Sequence, residues 1–233
     1  MKVYGIVKDN KHSFNDFGLW IVDKQIDPPS KKRITSSIPY MNGVYDFSEL
    51  YGEETYEERS LKYVFEIVED TKELLNIKKI EAINWLMSGG KFYLYDDAIP
   101  GFKFFAECFD SSFTEEGTIG KLTVNFVAYP FKISTMQDGH DIWDEFNFEL
   151  DMFQETKFEI ENIKNIQLYN NGAIGINPIV VCSSNMEITK GNTTYKFNSG
   201  ETKSWSFKLD KGLNNLIIKG TGTIEFKWHK EVL

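Results

Sequence analysis

Turns interrupt the second half of the chain at intervals too short for anything but strands. From Phe146 onward the breaks are Asn170-Asn171-Gly172, Lys190-Gly191-Asn192, Asn198-Ser199-Gly200, Lys211-Gly212 and Gly220-Thr221-Gly222. Glycine and asparagine accept the left-handed backbone that tight turns require. Short apolar runs separated by such turns, about ten residues apart, predict a β-sandwich. No helix signal survives after residue 146, and no repeat of fixed period or low-complexity tract occurs.

The first half is organised differently. Phe17-Gly-Leu-Trp-Ile-Val22 reads as a short buried strand, and Pro28-Pro29 must leave any sheet because proline cannot donate to a ladder. Asn42-Gly43 is a turn signal. From Leu61 the alternation is clean, with Leu61, Tyr63, Phe65 and Ile67 on one face. One helix is predicted over 70–88, capped by Asp70 or Thr71, stopped by Gly89-Gly90, and striped by Ile80, Ile83 and Met87 with Leu75 and Leu86 beside them. Strands resume at Phe92–Tyr95, Phe102–Phe109 and Gly120–Tyr129. Phe102–Phe109 has phenylalanine on both faces, so burial on both sides is expected, by its own domain or by a neighbour.

The polar, acidic run Ser134–Glu145 (STMQDGHDIWDE) marks a boundary, giving domains 1–133 and 134–233. A hydrophobic fraction of 41% and a charged fraction of 26% are those of a globular chain, and an aromatic fraction of 15% favours strands. No apolar run approaches the ~20 residues that span a bilayer, and residues 1–7 lack a signal-peptide core, so a cytoplasmic product without membrane insertion is expected. Residues 1–133 carry 16 basic and 21 acidic side chains, and residues 134–233 carry 10 and 14. Neither half is basic, which argues against specific nucleic-acid binding by phosphate neutralisation.

Catalytic signals are sparse. His12, His140 and His229 have no partner at ligand or catalytic spacing. Asp138, His140, Asp141, Asp144 and Glu145 could hold a divalent ion, although a solvated acidic linker explains the same letters. Asn170-Asn-Gly-Ala-Ile-Gly-Ile176 lacks the lysine and the following helix of a phosphate loop, so a turn feeding a strand at Pro178–Cys182 is expected. The acidic pairs Glu57-Glu58, Asp96-Asp97 and Glu115-Glu116 point apart in a strand or turn, unlike glycosidase carboxylates facing each other across about 5–9 Å. Cys108 and Cys182 fit no metal or redox spacing and read as buried side chains. Tyr169, Tyr195, Trp205 and Trp228 could stack on sugars or fill a core. These residues define no enzyme and no cofactor, metal or ligand site.

The order of features resembles the distal tail proteins of siphophages that infect Gram-positive bacteria, and of related prophages. The resemblance rests on FNDFGLWI, then PYMNGVYDFS, Glu58-Arg59 before LKYVFEI, WLMSGG before KFYLYDD, and GKLTVNFVAYPF. YNNGAIGINPIVVCSS and FKLDKGLNNLIIKGTGTIEFKW extend it into the second half. It implies a mainly β fold with one helix: an N-terminal split-barrel-like ring domain of α+β type and a C-terminal galectin-like β-sandwich. It also implies a homo-hexameric baseplate hub at the virion tail tip, assembled in the host cytoplasm. The implied partners are the tail tube protein, the tail-associated (tip) protein, and receptor-binding or baseplate proteins, with DNA passing through the ring. Glycine and proline turns in the segment Asp16–Asn42 would then aim an arm towards a neighbour. Many relatives carry a sugar-binding module inserted in the sandwich, for which this chain has no room; a lectin-like protein recognising wall polysaccharide is the alternative.

Overall fold

The structure, a computed structural model, describes residues 3–138 and 154–233 apart from Glu49, Tyr51 and Glu53. It is mostly β and divides into two units, 1–132 with Leu233, and 133–232. Residues 139–145 of the acidic run, with His140, Asp141, Asp144 and Glu145 of the candidate ion cluster, lie outside the described residues.

The first unit contains β1 (Ile6–Lys8), β2 (Lys11–His12), α1 (Ser13–Phe17), β3 (Trp20–Ile26), β4 (Thr35–Ser36), β5 (Tyr45–Asp46), β6 (Arg59–Val68), α2 (Lys72–Met87), β7 (Phe92–Asp96), β8 (Phe102–Glu116) and β9 (Ile119–Ala128). Its antiparallel sheet runs in the order β2-β1-β7-β8-β9-β6-β3. The alternation from Leu61 to Ile67 is realised as expected: all four inward residues are buried, and they meet Leu122, Val124 and Phe126 of β9.

Two expectations for this unit are corrected. The segment expected as one strand at 17–22 is split. Asp16 and Phe17 belong to α1, a second helix, and Gly18 adopts a left-handed conformation (φ 67°) to end it before β3 begins. On α2, Thr71 is the cap, accepting from the Leu74 N–H at 3.3 Å. The stripe expected to face the core does so only in part, with Ile83 packed against it. Leu75, Ala82, Trp85 and Leu86 are buried, whereas Ile77, Ile80 and Met87 are exposed. The aromatic Trp85 selects the face, because its ring stacks on Phe17 at 4.5 Å and its indole N–H reaches β1. Within its own domain β8 is buried on one face only, which leaves a neighbour as the expected source of cover for the other. Phe104 and Ala106 are in the core, Phe105 is half-buried against Tyr93, and Phe109 is 57% exposed.

The second unit contains β10 (Lys132–Ser134, whose first residue belongs to the first unit), β11 (Lys157–Asn170), β12 (Ile179–Cys182), β13 (Met186–Lys190), β14 (Thr193–Phe197), β15 (Gly200–Lys203), β16 (Gly212–Lys227) and β17 (Glu231–Val232). It is built around one long ribbon in which β11 and β16 pair from Lys157↔Glu225 to Asn170↔Gly212. One half of β16 also pairs with β13, and the other half pairs with β12. β14 and β15 complete the two halves as outer strands. Both halves turn their apolar faces to a single core containing Ile160, Leu168, Ile188, Phe207, Leu216, Ile224, Phe226 and Trp228. This is the β-sandwich that the turn spacing predicts.

The break between halves is a matter of steric room. At Gly220 (φ 151°) and Gly222 (φ 130°), the β12–β13 connection passes directly over β16. A Cβ at Gly222 would collide with Ser183 Oγ, and one at Gly220 would lie 2.9 Å from Met186 Cγ. Only glycine satisfies both the close approach and the backbone angle.

Candidate functional site

His12 and the Asp96-Asp97 pair are held in structural roles. His12 Nδ1 accepts from the N–H groups of Phe14 and Asn15, both at 3.1 Å, and so caps α1. Nε2 then carries the proton and donates to Asp97 Oδ2 at 2.9 Å. With both nitrogens engaged, His12 has no lone pair left to serve as a base. Asp97 also accepts from the Gly5 N–H at 3.2 Å. This partner is 85 residues away, which is why spacing alone did not reveal it.

Asp96, the adjacent carboxylate, does point the other way. It is buried, accepting from Tyr63 Oη and Lys24 Nζ, each at 2.9 Å, and from the Ala98 N–H at 2.9 Å. Burial first, and then the Asp96 charge and hydrogen bond, push the Tyr63 phenol far above its ordinary value. Glu58 pairs with Lys91 at 3.0 Å on the surface, and Glu115 and Glu116 are exposed at the end of β8. Among the described residues, no group of three or more His, Cys, Asp or Glu side chains is placed to hold a metal ion.

The loop after β11 is locked by an asparagine. Asn170 Nδ2 donates to Ile174 O and Leu209 O, while its Oδ1 accepts from the Gly172 N–H at 2.9 Å. It leads into β12 at Ile179 with no helix for a phosphate to meet. Cys182 is buried, and burial pushes its thiol up to about 11. Cys108 is only half-buried, which corrects the expectation for it. The β8 register shifts between Cys108 and Asp110, a bulge that leaves the side chain at the rim of the core.

What the first unit offers instead is an arm. The chain leaves the sheet at Asp27, whose N–H bonds Ser60 O at 3.2 Å, and returns at Arg59. The excursion therefore spans 27–58, displaced from the arm expected over 16–42 because 20–26 is a ladder strand. Its two legs are joined by Lys32 N–H to Thr55 O at 2.8 Å, Glu57 N–H to Ser30 O at 2.9 Å, and Phe47 N–H to Ile34 O at 2.8 Å. Arg33 and Asp46 pair at 3.2 Å, and the Ser48 hydroxyl and N–H, with Arg33, hold the Asp46 carboxyl below its usual range. Ile34, Ile38, Val44, Tyr45, Phe47 and Leu50 are nevertheless exposed. Paired strands of two residues with no covered apolar face are not stable in isolation. Exposed apolar side chains, where they form one patch, are a feature of association surfaces.

In the second unit the four candidate aromatics are not brought together. Trp228 is in the core, Tyr195 packs on Phe207 at 5.2 Å, and Tyr169 is partly exposed. Trp205 lies in a loop and is 92% exposed. The loop backbone is fixed by Asn177, whose Nδ2 donates to Ser204 O, Trp205 O and Phe207 O at 3.2, 3.0 and 2.7 Å.

Similarities to known proteins agree with this description. The fold matches the crystal structure of the phage SPP1 Dit protein, described as a paradigm of the hub adsorption apparatus in Gram-positive infecting phages. The match has a TM-score of 0.70 at 16% identity and covers 98% of this chain and 99% of that one. A chain of the activated phage p2 baseplate with calcium aligns at a TM-score of 0.43 and 9% identity, covering 99% and 97%. No curated protein matches. Residues 12–128 match the phage tail protein RIFT-related domain. The chain belongs to the phage tail protein family defined by that domain, as its resemblance to siphophage distal tail proteins implies.

Proposed function

We propose that the protein is the hub of a siphophage tail tip, a homo-hexameric ring that joins the tail tube to the tail-associated protein and to receptor-binding or baseplate proteins. The observation that carries this reading is the arm, an excursion with exposed apolar side chains and no core of its own. A contact made by such an arm on the next copy is heterologous, and with the right rotation it closes a ring. The net charge of −9 suits a lumen through which DNA slides, since basic walls would hold it by counterion release. Assembly takes place in the host cytoplasm, and the finished ring resides at the virion tail tip. The role is structural and requires no cofactor.

Light scattering and negative-stain imaging of the purified chain test the reading: six-membered rings are expected. Removing residues 28–57 and bridging the ends with a short glycine-serine linker should leave a folded chain that no longer assembles. A chain that stays monomeric at high concentration with the arm intact overturns the proposal.

The rival reading is a lectin, and the exposure of Trp205 on a fixed loop favours it. Its surroundings do not, because both arginines of the chain, Arg33 and Arg59, lie in the first unit, and among the described residues no ring contact of Trp205 with a second aromatic is found. Calorimetry with cell-wall oligosaccharides is expected to show no binding. Micromolar affinity abolished by Trp205→Ala in a folded chain would establish the lectin instead.

A further inference from the structure

Arg59 is the first residue of β6 and continues the inward face of Leu61 and Tyr63, yet it is a cation. It is 3% exposed, its guanidinium carbon lies 5.8 Å from the centre of the Phe104 ring, and its Nε is buried without a hydrogen-bond partner. Among the described residues no carboxylate pairs with it. Room for the head group comes from two small residues on the same row of the sheet: Arg59 is opposite Ala128, and Ala128 is opposite Ala106. Both alanines are buried.

A second cation stands nearby. Lys132, also in the first unit, has its ammonium pKa lowered by burial and then by the charge of Arg59. Arginine does not shed its proton at any pH a protein survives, so its charge stays in place whatever its surroundings. A buried charge without a counter-charge is strongly unfavourable, and the charge of the half-buried Lys132 adds to it. A methionine would fill the same volume without that cost. The position is therefore arranged for a charge that the described residues do not provide.

We propose that Arg59 and Lys132 form a receptor for an oxyanion of the carboxylate or phosphate class. The guanidinium fork presents paired N–H donors to two oxygens, the orphaned Nε–H gains an acceptor, and the lysine adds a point charge. The oxyanion comes either from solution or from an Asp or Glu side chain of a second copy. The second source rests on the ring reading; the existence of the receptor does not.

The test uses the full chain. Thermal unfolding is followed while sodium acetate or sodium phosphate replaces sodium chloride at constant ionic strength. A saturable rise in Tm is expected with at least one of the two anions. Arg59→Met should abolish the rise while leaving the anion-free Tm equal to or above that of the parent. Lys132→Gln and Arg59→Lys should weaken apparent anion affinity several-fold, and they keep the test alive if the methionine variant does not fold. Assembly of the variants separates the sources. If the oxyanion belongs to a second copy, Arg59→Met also lowers the assembly state and acetate competes with assembly. If it is free, assembly is unchanged while the anion response disappears. Equal melting in all three salts, together with parental assembly of the variants, overturns the proposal.

Discussion

Lys8 and Trp85 exchange hydrogen bonds across the end of a helix. Lys8 Nζ donates to Trp85 O at 2.5 Å, and Trp85 Nε1 returns a bond to Lys8 O at 3.2 Å. The same ammonium reaches Leu86 O at 3.3 Å and Ser88 O at 2.7 Å. The last turn of α2 has no basic residue of its own, so a lysine from β1 satisfies its free carbonyls and complements the negative end of its dipole.

Replacing this lysine tests that account. Lys8 is 1% exposed, and burial lowers the pKa of its ammonium. Lys8→Met keeps the stem but leaves the helix-end carbonyls without a donor, at a cost of about 2–4 kcal/mol. Lys8→Arg should also destabilise, because a planar fork does not fit three converging carbonyls. Urea unfolding measures both variants.

Tyr63 should give the first unit an alkaline limit. Its folded pKa lies above the ordinary phenol value, so the unfolded chain loses this proton first as pH rises. The contribution is intact below about pH 10 and declines above it. Tyr63→Phe removes one hydrogen bond to Asp96, costing about 1–2 kcal/mol at neutral pH, and flattens the decline above about pH 10. Denaturant midpoints at neutral and strongly alkaline pH compare the two proteins. An unchanged slope would separate Tyr63 from the effect.

The thiols should react in sequence. Burial raises the pKa of both, but Cys108 is half-buried at a bulge and Cys182 lies in the second core. Slow reaction of one thiol with a chromogenic disulfide is expected in the native protein, with the second appearing only on unfolding. Cys108→Ser should abolish the native reaction.

The second unit should fold alone only if its first strand is included. Ser134 N–H bonds Lys230 O and Asp138 N–H bonds Trp228 O, both at 2.9 Å, so residues 133–138 complete the edge beside the core tryptophan. A fragment 133–233 is expected to unfold cooperatively, and a fragment 154–233 to be less stable by about 2–3 kcal/mol. Gly222→Val in the longer fragment should abolish cooperative unfolding, since its Cβ meets Ser183 Oγ.

Local pattern was legible; partners chosen across the fold were not. Leu61 to Ile67 announce a strand because period two survives any choice of neighbours, and Thr71 and Gly89 announce helix ends because caps are local chemistry. The buried face of α2 depended on where Trp85 finds Lys8 and Phe17, which no periodicity contains. His12 with Asp97 and Tyr63 with Asp96 are likewise products of strand order. The arm was legible as a stretch of turns, but its roots were misplaced because β3 and β6 pair on either side of it.

The β11–β16 ribbon also dictates a sequence of events. Its closest rung joins Asn170 to Gly212 and its farthest joins Lys157 to Glu225, so every rung closes a large loop. The β13–β14 hairpin closes only a short one, between Lys190 and Thr193. During synthesis, therefore, β13 can pair with β14 and β12 with β15 early, whereas β11 has no partner until β16 is made, and β16 alone joins the two halves. Until that strand emerges, β11 is unpaired and the two hairpin-like halves have no strand in common. The last long strand made is the one that turns a loose collection of hairpins into a cooperative unit, and this non-local closure should make folding slow.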